Sequence, residues 1–357
     1  MKRPDTKILV AMSGGVDSSV TAALLKEQGY DVTGIMFKFW SKGLSDSKKD
    51  KFTFSMENAR AVAKILDIPF LVKDYQDIFQ DKVINYFVQS YLAGITPNPC
   101  PACNRFVKFA SLEKEADQLG IHHIASGHYA RIIQSNDRFH LFKGVDQKKD
   151  QSYFLYRLDQ KTLARHLFPL GEFEKTETRK IAERFKLPVK NEPDSQDLCF
   201  IENNNYRDFL TTHAGITAKK GPITNTRGEV LGTHNGLPFY TIGQRRGLGV
   251  SYTEPLFVIK LDTVNNTLIA GTKNERFKSE FKICDVIYTS GSVPKTPLTV
   301  SVKIRSTGKA INAIVNPHPD NQARVNLNSP VADITPGQSA VFYEGDEVRG
   351  GGIIIKE

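Results

Sequence analysis

The chain has 357 residues, 40% of them hydrophobic and 24% charged, and Lys+Arg 48 against Asp+Glu 39 gives a net charge of +9. That length exceeds one ordinary core and calls for two or three domains, and the composition excludes a disordered or fibrous chain. No segment approaches eighteen apolar residues, and MKRPDTKILVAMSGG holds only a short apolar run closed by glycines. Neither a membrane span nor a signal peptide is therefore expected, and the chain is placed in the cytoplasm.

In that reducing compartment Cys100, Cys103, Cys199 and Cys284 read as chemistry or metal ligands before structural disulfides. The basic balance suits a polyanionic partner without identifying one.

In chain order, KILVAMS is an apolar run ending at glycines, and SSVTAALLKEQGY has helical spacing closed by Gly29. DVTGIMFKFW reads as a strand, SMENARAVAKILDI as an amphipathic helix, PFLVKDY as a strand and IFQDKVINYFVQSYLAG as a helix. After NPCPACN, which holds Cys100 and Cys103, come a helix, FVKFASLEKEADQLG, and a strand, HHIASGHYARII. This alternation predicts an α/β fold with a doubly wound parallel sheet and a ligand site at the carboxyl ends of its strands. LDQKTLARHL and TETRKIAERFKL add two helical patterns. Beyond Phe200 Gly and Asn become frequent, and from about Phe281 short alternating segments such as LTVSVKIRS and GQSAVFYEGDEV predict a small β-barrel or sandwich. The expected division is a catalytic domain over 1–205, a small central domain over 206–278 and a C-terminal β-barrel domain over 279–357.

The sharpest local pattern is 11-AMSGGVDSSV-20, between the strand KILV and a helix. Two adjacent glycines let the backbone turn so that amides point at phosphate oxygens. Ser13, Ser18 and Ser19 add hydroxyl donors, and the helix presents its positive end. No lysine follows the glycines, so this is not the usual P-loop. SGGVDS resembles the PP-loop of ATP pyrophosphatases, enzymes that cleave ATP between the α and β phosphates and adenylate a substrate oxygen. The resemblance implies ATP on Ala11, Met12, Ser13, Gly14, Gly15, Val16, Asp17 and Ser18, with adenine against the end of the second strand near Phe37. Asp17 is a candidate for Mg²⁺ and equally for a helix cap.

The cysteines admit several readings. A closed zinc site wants four ligands, and only one Cys-x-x-Cys pair exists, with Cys199 far along the chain. A thioredoxin-like pair would open a helix in a domain of its own. Two prolines predict an irregular, surface-facing loop for NPCPACN, whereas Cys284, in the strand-like FKICDVIY, reads as structural.

AMSGGVDSSV, NP-x-x-x-C-N followed by KF, SGHYAR, KDQSYFL, DS-x-x-x-CF, GQRRGLG and TPGQSAVFY-x-GDEV-x-GGGII occur in that order. Together they resemble the bacterial tRNA-specific 2-thiouridylase family over essentially the full length. The resemblance implies ATP-dependent replacement of the wobble-uridine C2 oxygen by sulfur. The sulfur would arrive from an upstream sulfur-relay or cysteine-desulfurase protein as a persulfide on Cys199. Cys103 would help release it and close a disulfide with Cys199. The resemblance further implies that Gly127 meets adenosine, that Asn98, Pro99 and Cys100 meet the target base, and that His128, Lys149, Asp150, Gln151, Arg305, Ser306 and Gln338 contact tRNA. Gln244-Arg245-Arg246 is a basic turn that suits either a phosphate contact or an ordinary charged hairpin. Nothing in the pattern demands more than a monomer.

Three positions depart from the family. Many members carry Asp where Cys100 stands, Met where Phe37 stands, and an Arg-Tyr pair where Arg305-Ser306 stands. Cys100 opens an alternative to the persulfide route: Cys100, Cys103 and Cys199 as three ligands of an iron–sulfur cluster. The rival enzyme reading is another PP-loop ligase acting on a small molecule; the non-enzymatic one is an RNA-binding protein that keeps a nucleotide loop as a switch.

Overall fold

A computed structural model describes residues 6–39, 46–189, 198–201 and 205–356. Trp40 and the Asp194–Asp197 part of the DS-x-x-x-CF pattern lie outside the described residues.

The chain opens on β1 (Lys7–Ala11), α1 (Val16–Glu27), β2 (Asp31–Lys38), α2 (Asp46–Ile65) and β3 (Phe70–Asp74). Continuous helical backbone follows over 76–92 and 99–118, each run holding a π-turn, then β4 (His123–Ala125). β5 (Ala130–Ser135) and β6 (Arg138–Lys143) form a hairpin, and β7 (His166–Leu167) returns to the first sheet. That sheet is parallel, in the order β3-β2-β1-β4-β7. Ile8, Leu9 and Val10 are all fully buried because both faces are covered. Ile8 and Val10 pack into one cluster with Val20 and Leu24 of α1, while Leu9 packs with Ile35, Leu112 and Ala116 on the other face. β1 sits where the strand order reverses, so its carboxyl end is the expected place for a ligand.

Two stretches fold otherwise than their sequence predicts. NPCPACN is not an irregular loop: Pro99–Cys103 is the first turn of the helical run 99–118, with Asn98 at its N-cap. Both prolines fall in that first turn, where a missing N–H costs no hydrogen bond. HHIASGHYARII is not one strand: it breaks at Ser126–Tyr129, and the hairpin after the break leaves the parallel sheet. Cys284 lies in a strand as expected, half-buried opposite Ile353.

The central segment forms a four-stranded sheet from β8 (Gly221–Thr224), β9 (Val230–His234), β10 (Phe257–Asp262) and β11 (Thr267–Gly271), in the order β10-β11-β8-β9. The last part holds β12 (Phe277–Tyr288), β13 (Leu298–Lys303), β14 (Ile311–His318), β15 (Gln322–Ala332), β16 (Ser339–Glu344) and β17 (Glu347–Ile354). These pair in the order β12-β15-β14-β13-β16-β17, and β12 pairs again with β17, so the barrel closes. Val302, Val315, Val325 and Phe342 fill its interior, each fully buried. The β5–β6 hairpin extends this sheet through Val348↔Leu141. None of the described helices is long and apolar enough to cross a membrane.

Candidate active site

The loop after β1 is built for close approach. Gly14 has φ +78, and a Cβ there would lie 2.0 Å from the Ser55 carbonyl oxygen of α2. Gly15, extended, caps α1 without any side-chain cap, which leaves the first-turn amides of α1 to a ligand or water. Ser18 Oγ accepts from the Ser13 N–H at 3.0 Å and Ser19 Oγ donates to the Gly15 carbonyl at 2.9 Å, holding the loop's shape. Gly127, just beyond β4, lies against the same turn: a Cβ there would come within 2.8 Å of Asp17 C and Ser18 N. Met36 is buried in the core, and Phe37 faces the opposite side of β2, stacked on Phe39 at 5.4 Å. The expected nucleotide residues Ala11 to Ser18, Phe37 and Gly127 are thus gathered at the carboxyl ends of β1, β2 and β4.

Asp17 is not a helix cap, since Gly15 holds that place. Its carboxylate accepts from Lys175 Nζ at 2.6 and 2.8 Å and from the Tyr129 hydroxyl at 2.9 Å. The oxygens expected for magnesium are therefore engaged by a lysine, and the described residues offer no metal-ligand set there. Sequence reasoning missed Lys175, whose partner lies 158 positions away with no local pattern to announce it.

The cysteines converge on the neighbouring helix. Cys103, 5% exposed, packs with Val107, Phe200, Ile201 and Phe209, and Leu198 lies against the same cluster. The chain around Cys199 is thus brought onto the Cys103 helix, with Cys103 buried, Cys100 half-buried and Cys199 exposed. Burial pushes the Cys103 thiol up to about 12, against the pull of the Lys108 ammonium. Burial likewise raises Cys100.

Lys108 is exposed to solvent on the helical run that carries Cys103. Burial draws its pKa down, but Cys103, Cys199 and Cys100 together raise it. The π-turn Asn104–Phe109 closes i→i+5 and so returns Lys108 toward the face that carries Cys103. The sequence held a signal for it in the KF that follows the cysteine motif. His128 is lowered to about 3 by burial, then by Lys108 and His166, so it is neutral; its Nδ1 lies 2.8 Å from Ser126 Oγ.

Among the described residues no three His, Cys, Asp or Glu side chains form a set that could hold a metal. Cys100, Cys103 and Cys199 as arranged do not fit the iron–sulfur ligation that Cys100 suggested.

Of the residues expected to meet tRNA, several face inward. Gln151 Oε1 accepts from the Tyr129 N–H at 2.9 Å, and Asp150 accepts from the amides of Gly144 and Ser152. Gln338 Nε2 donates to the Thr96 carbonyl at 2.9 Å. Arg305 is exposed and donates to the Asp333 carbonyl at 2.8 Å, beside half-buried Ser306. Lys149 is half-buried, and Arg245 and Arg246 are exposed on a glycine-rich turn.

A parallel sheet with an SGG-x-D-S loop at its switch point defines a PP-loop protein of the HUP type. A family model described as the tRNA methyl transferase HUP domain matches residues 6–203, one described as the tRNA methyl transferase PRC-barrel domain matches 207–272, and one described as the aminomethyltransferase beta-barrel domain matches 278–354. Similar curated proteins include the tRNA-specific 2-thiouridylase MnmA of Acetivibrio thermocellus, 43% identical over 98% of this chain and 99% of that one. The MnmA of Clostridioides difficile is 42% identical over 98% of each chain. Among solved structures, the U34-tRNA thiolase NcsA of Methanococcus maripaludis with its [4Fe-4S] cluster aligns at TM-score 0.37 and 18% identity, over 60% of this chain and 66% of that one. The chain belongs to the tRNA-specific 2-thiouridylase family.

Proposed function

We propose that the protein is a tRNA-uridine 2-sulfurtransferase that uses ATP to replace the C2 oxygen of a wobble uridine with sulfur. The observation that carries this reading is the continuity of the site. Gly127 lies against the phosphate loop, the ring of His128 beside it sits 5.5 Å from Phe109 on the helical run 99–118, and that run carries Cys103, onto which the chain around Cys199 packs. This proximity supports a nucleotide-activating loop and a thiol pair that work side by side.

The chemistry follows from the weakness of oxide as a leaving group on a uracil. The C2 oxygen attacks the α-phosphorus of ATP held on Ser13–Ser18, pyrophosphate leaves, and the base carries an adenylated oxygen. Cys199, exposed, can take sulfur from a donor protein as a persulfide. Its terminal sulfur attacks C2 and AMP departs with the base oxygen. Cys103 Sγ then attacks Cys199 Sγ, its thiol proton passing to the departing thio-base; the sulfur–sulfur bond to the base's new sulfur breaks, 2-thiouridine is released, and Cys103 and Cys199 close a disulfide. A thiol reductant restores both. Buried Cys103 is screened from outside thiols until that step, and Lys108 offsets the negative charge as it passes between the sulfurs. Asn98 and Pro99 shape the turn that meets the base, with Cys100 in place of an acidic residue. The net charge of +9 suits the tRNA polyanion. Magnesium, with no ligand set among the described residues, would accompany the phosphates of ATP.

Incubation with unmodified tRNA, ATP, Mg²⁺ and a labelled persulfide donor should place label in 2-thiouridine and form AMP alongside. AMP formation with a small acceptor and no labelled tRNA would point to the PP-loop ligase reading instead. tRNA binding with neither product would leave an RNA-binding protein.

A further inference from the structure

We propose that Gln338, Gly337 and Thr96 are positioning residues: a junction through which the barrel and the central sheet set the cysteine helix against the nucleotide loop. This rests on the sulfur-transfer reading, and it gives Gln338 a different task from the tRNA contact its place in the family implies.

Residues 93–98 lead directly into the turn Pro99–Cys103. That short segment is gripped from two other parts of the molecule. From the barrel, the Thr96 N–H donates to the Pro336 carbonyl at 3.0 Å, the Asn98 N–H donates to the Gly337 carbonyl at 3.2 Å, and Gln338 Nε2 donates to the Thr96 carbonyl at 2.9 Å. The Gln338 side chain and the Gly337 carbonyl thus extend the barrel's own hydrogen bonding onto the segment before the cysteines. Gly337 must be glycine for the contact to exist: its φ is +92, and a Cβ would fall 2.3 Å from Ile95 Cγ2 and 2.7 Å from the Thr96 carbonyl oxygen. Gly337 and Gln338 are themselves fixed, since the Gly337 N–H donates to the Ile354 carbonyl and the Ile354 N–H donates to the Gln338 carbonyl.

From the central sheet's side, Thr96 Oγ1 meets Thr241 Oγ1 at 3.3 Å, four residues before exposed Arg245. Lys356 Nζ donates to both the Ala93 carbonyl and Thr263 Oγ1, joining the chain's last residues to the same place. All three parts of the protein therefore meet two to seven residues before Cys100, on backbone whose placement sets the direction of the helix that carries Cys100 and Cys103. A nucleophile displaced by about 1 Å can lose on the order of 100-fold in rate without any change in binding.

The test separates positioning from contact in the full-length protein. tRNA affinity and the single-turnover thiolation rate at saturating tRNA and ATP are measured for the wild type, Gln338→Ala and the near-isosteric Gln338→Met, which keeps the volume if the alanine variant melts early. Positioning predicts a rate at least ~10-fold lower, with tRNA affinity within twofold of wild type. It also predicts faster hydrogen exchange at the Thr96 and Asn98 amides. Loss of tRNA affinity with an unchanged saturated rate, or no change in either, overturns the proposal. Wild-type protein that makes no 2-thiouridine would overturn the sulfur-transfer reading instead, while the amide exchange would still report whether Gln338 holds the segment.

Discussion

Lys175 donates to both carboxylate oxygens of Asp17, at 2.6 and 2.8 Å, and so ties the helix Lys175–Arg184 to the first turn of α1. Its side chain is 10% exposed, and Tyr129 closes the network by donating to Asp17 at 2.9 Å. The nucleotide loop is held from beneath by an element far along the chain.

Lys175→Met should leave the Asp17 carboxylate without its cation in a half-covered site. The expected loss is about 2 kcal/mol, below the full penalty for a buried pair because Asp17 still reaches water. Thermal melts should show the drop, and calorimetric ATP titration should show weaker binding alongside.

Gly127→Ala places a Cβ within 2.8 Å of backbone atoms of Asp17 and Ser18, so the first turn of α1 must move. ATP affinity should fall at least ~10-fold while far-ultraviolet circular dichroism stays native, because the clash lies at the loop rather than in the core. Unchanged ATP binding would remove Gly127 from the nucleotide site.

How much of this could be read beforehand differs by feature. The phosphate loop was legible because tight turns, hydroxyl donors and a helix start are all local, and Gly14 and Gly15 behave as their sequence says. The barrel was legible from period-2 alternation in segments such as LTVSVKIRS, now β13. The helical start at NPCPACN was not, because proline was weighed as a breaker when its place in the first turn makes it harmless. The Asp17–Lys175 pair and the grip of Gln338 on Thr96 are long-range, and no window of sequence contains both partners.

The two thiols should fail in different ways. On the proposed route Cys199→Ser would remove the persulfide carrier, and no sulfur should reach tRNA. Cys103→Ser should still let the persulfide attack, so tRNA accumulates bonded to Cys199 through a disulfide that a small thiol releases. Denaturing gels with and without reductant separate these outcomes; equal free 2-thiouridine from Cys103→Ser and wild type would contradict the order of steps.

His166 carries a pH signature. Burial lowers its pKa to about 4, the Thr162 carbonyl pulls the other way at 2.7 Å, and Arg165 adds to the lowering. The folded value lies below the unfolded 6.5, so the unfolded chain takes up a proton first as pH falls. The contribution is complete above pH 6.5 and is lost as pH falls toward 4. Between pH 6.5 and pH 5 that is about 2 kcal/mol. Urea unfolding of the wild type should show a slope across this window, and His166→Gln should remove its share, leaving the slope that His128, lowered to about 3, contributes with the same sign.

The central claim, that ATP activates the base oxygen which sulfur then displaces, is tested most directly by following that oxygen. tRNA carrying oxygen-18 at C2 of the wobble uridine is turned over once with ATP and a persulfide donor, and AMP and the nucleosides are analysed by mass spectrometry. The account predicts one oxygen-18 in each AMP for each 2-thiouridine formed. Unlabelled AMP, with the heavy oxygen retained in uridine or released to water, would contradict it.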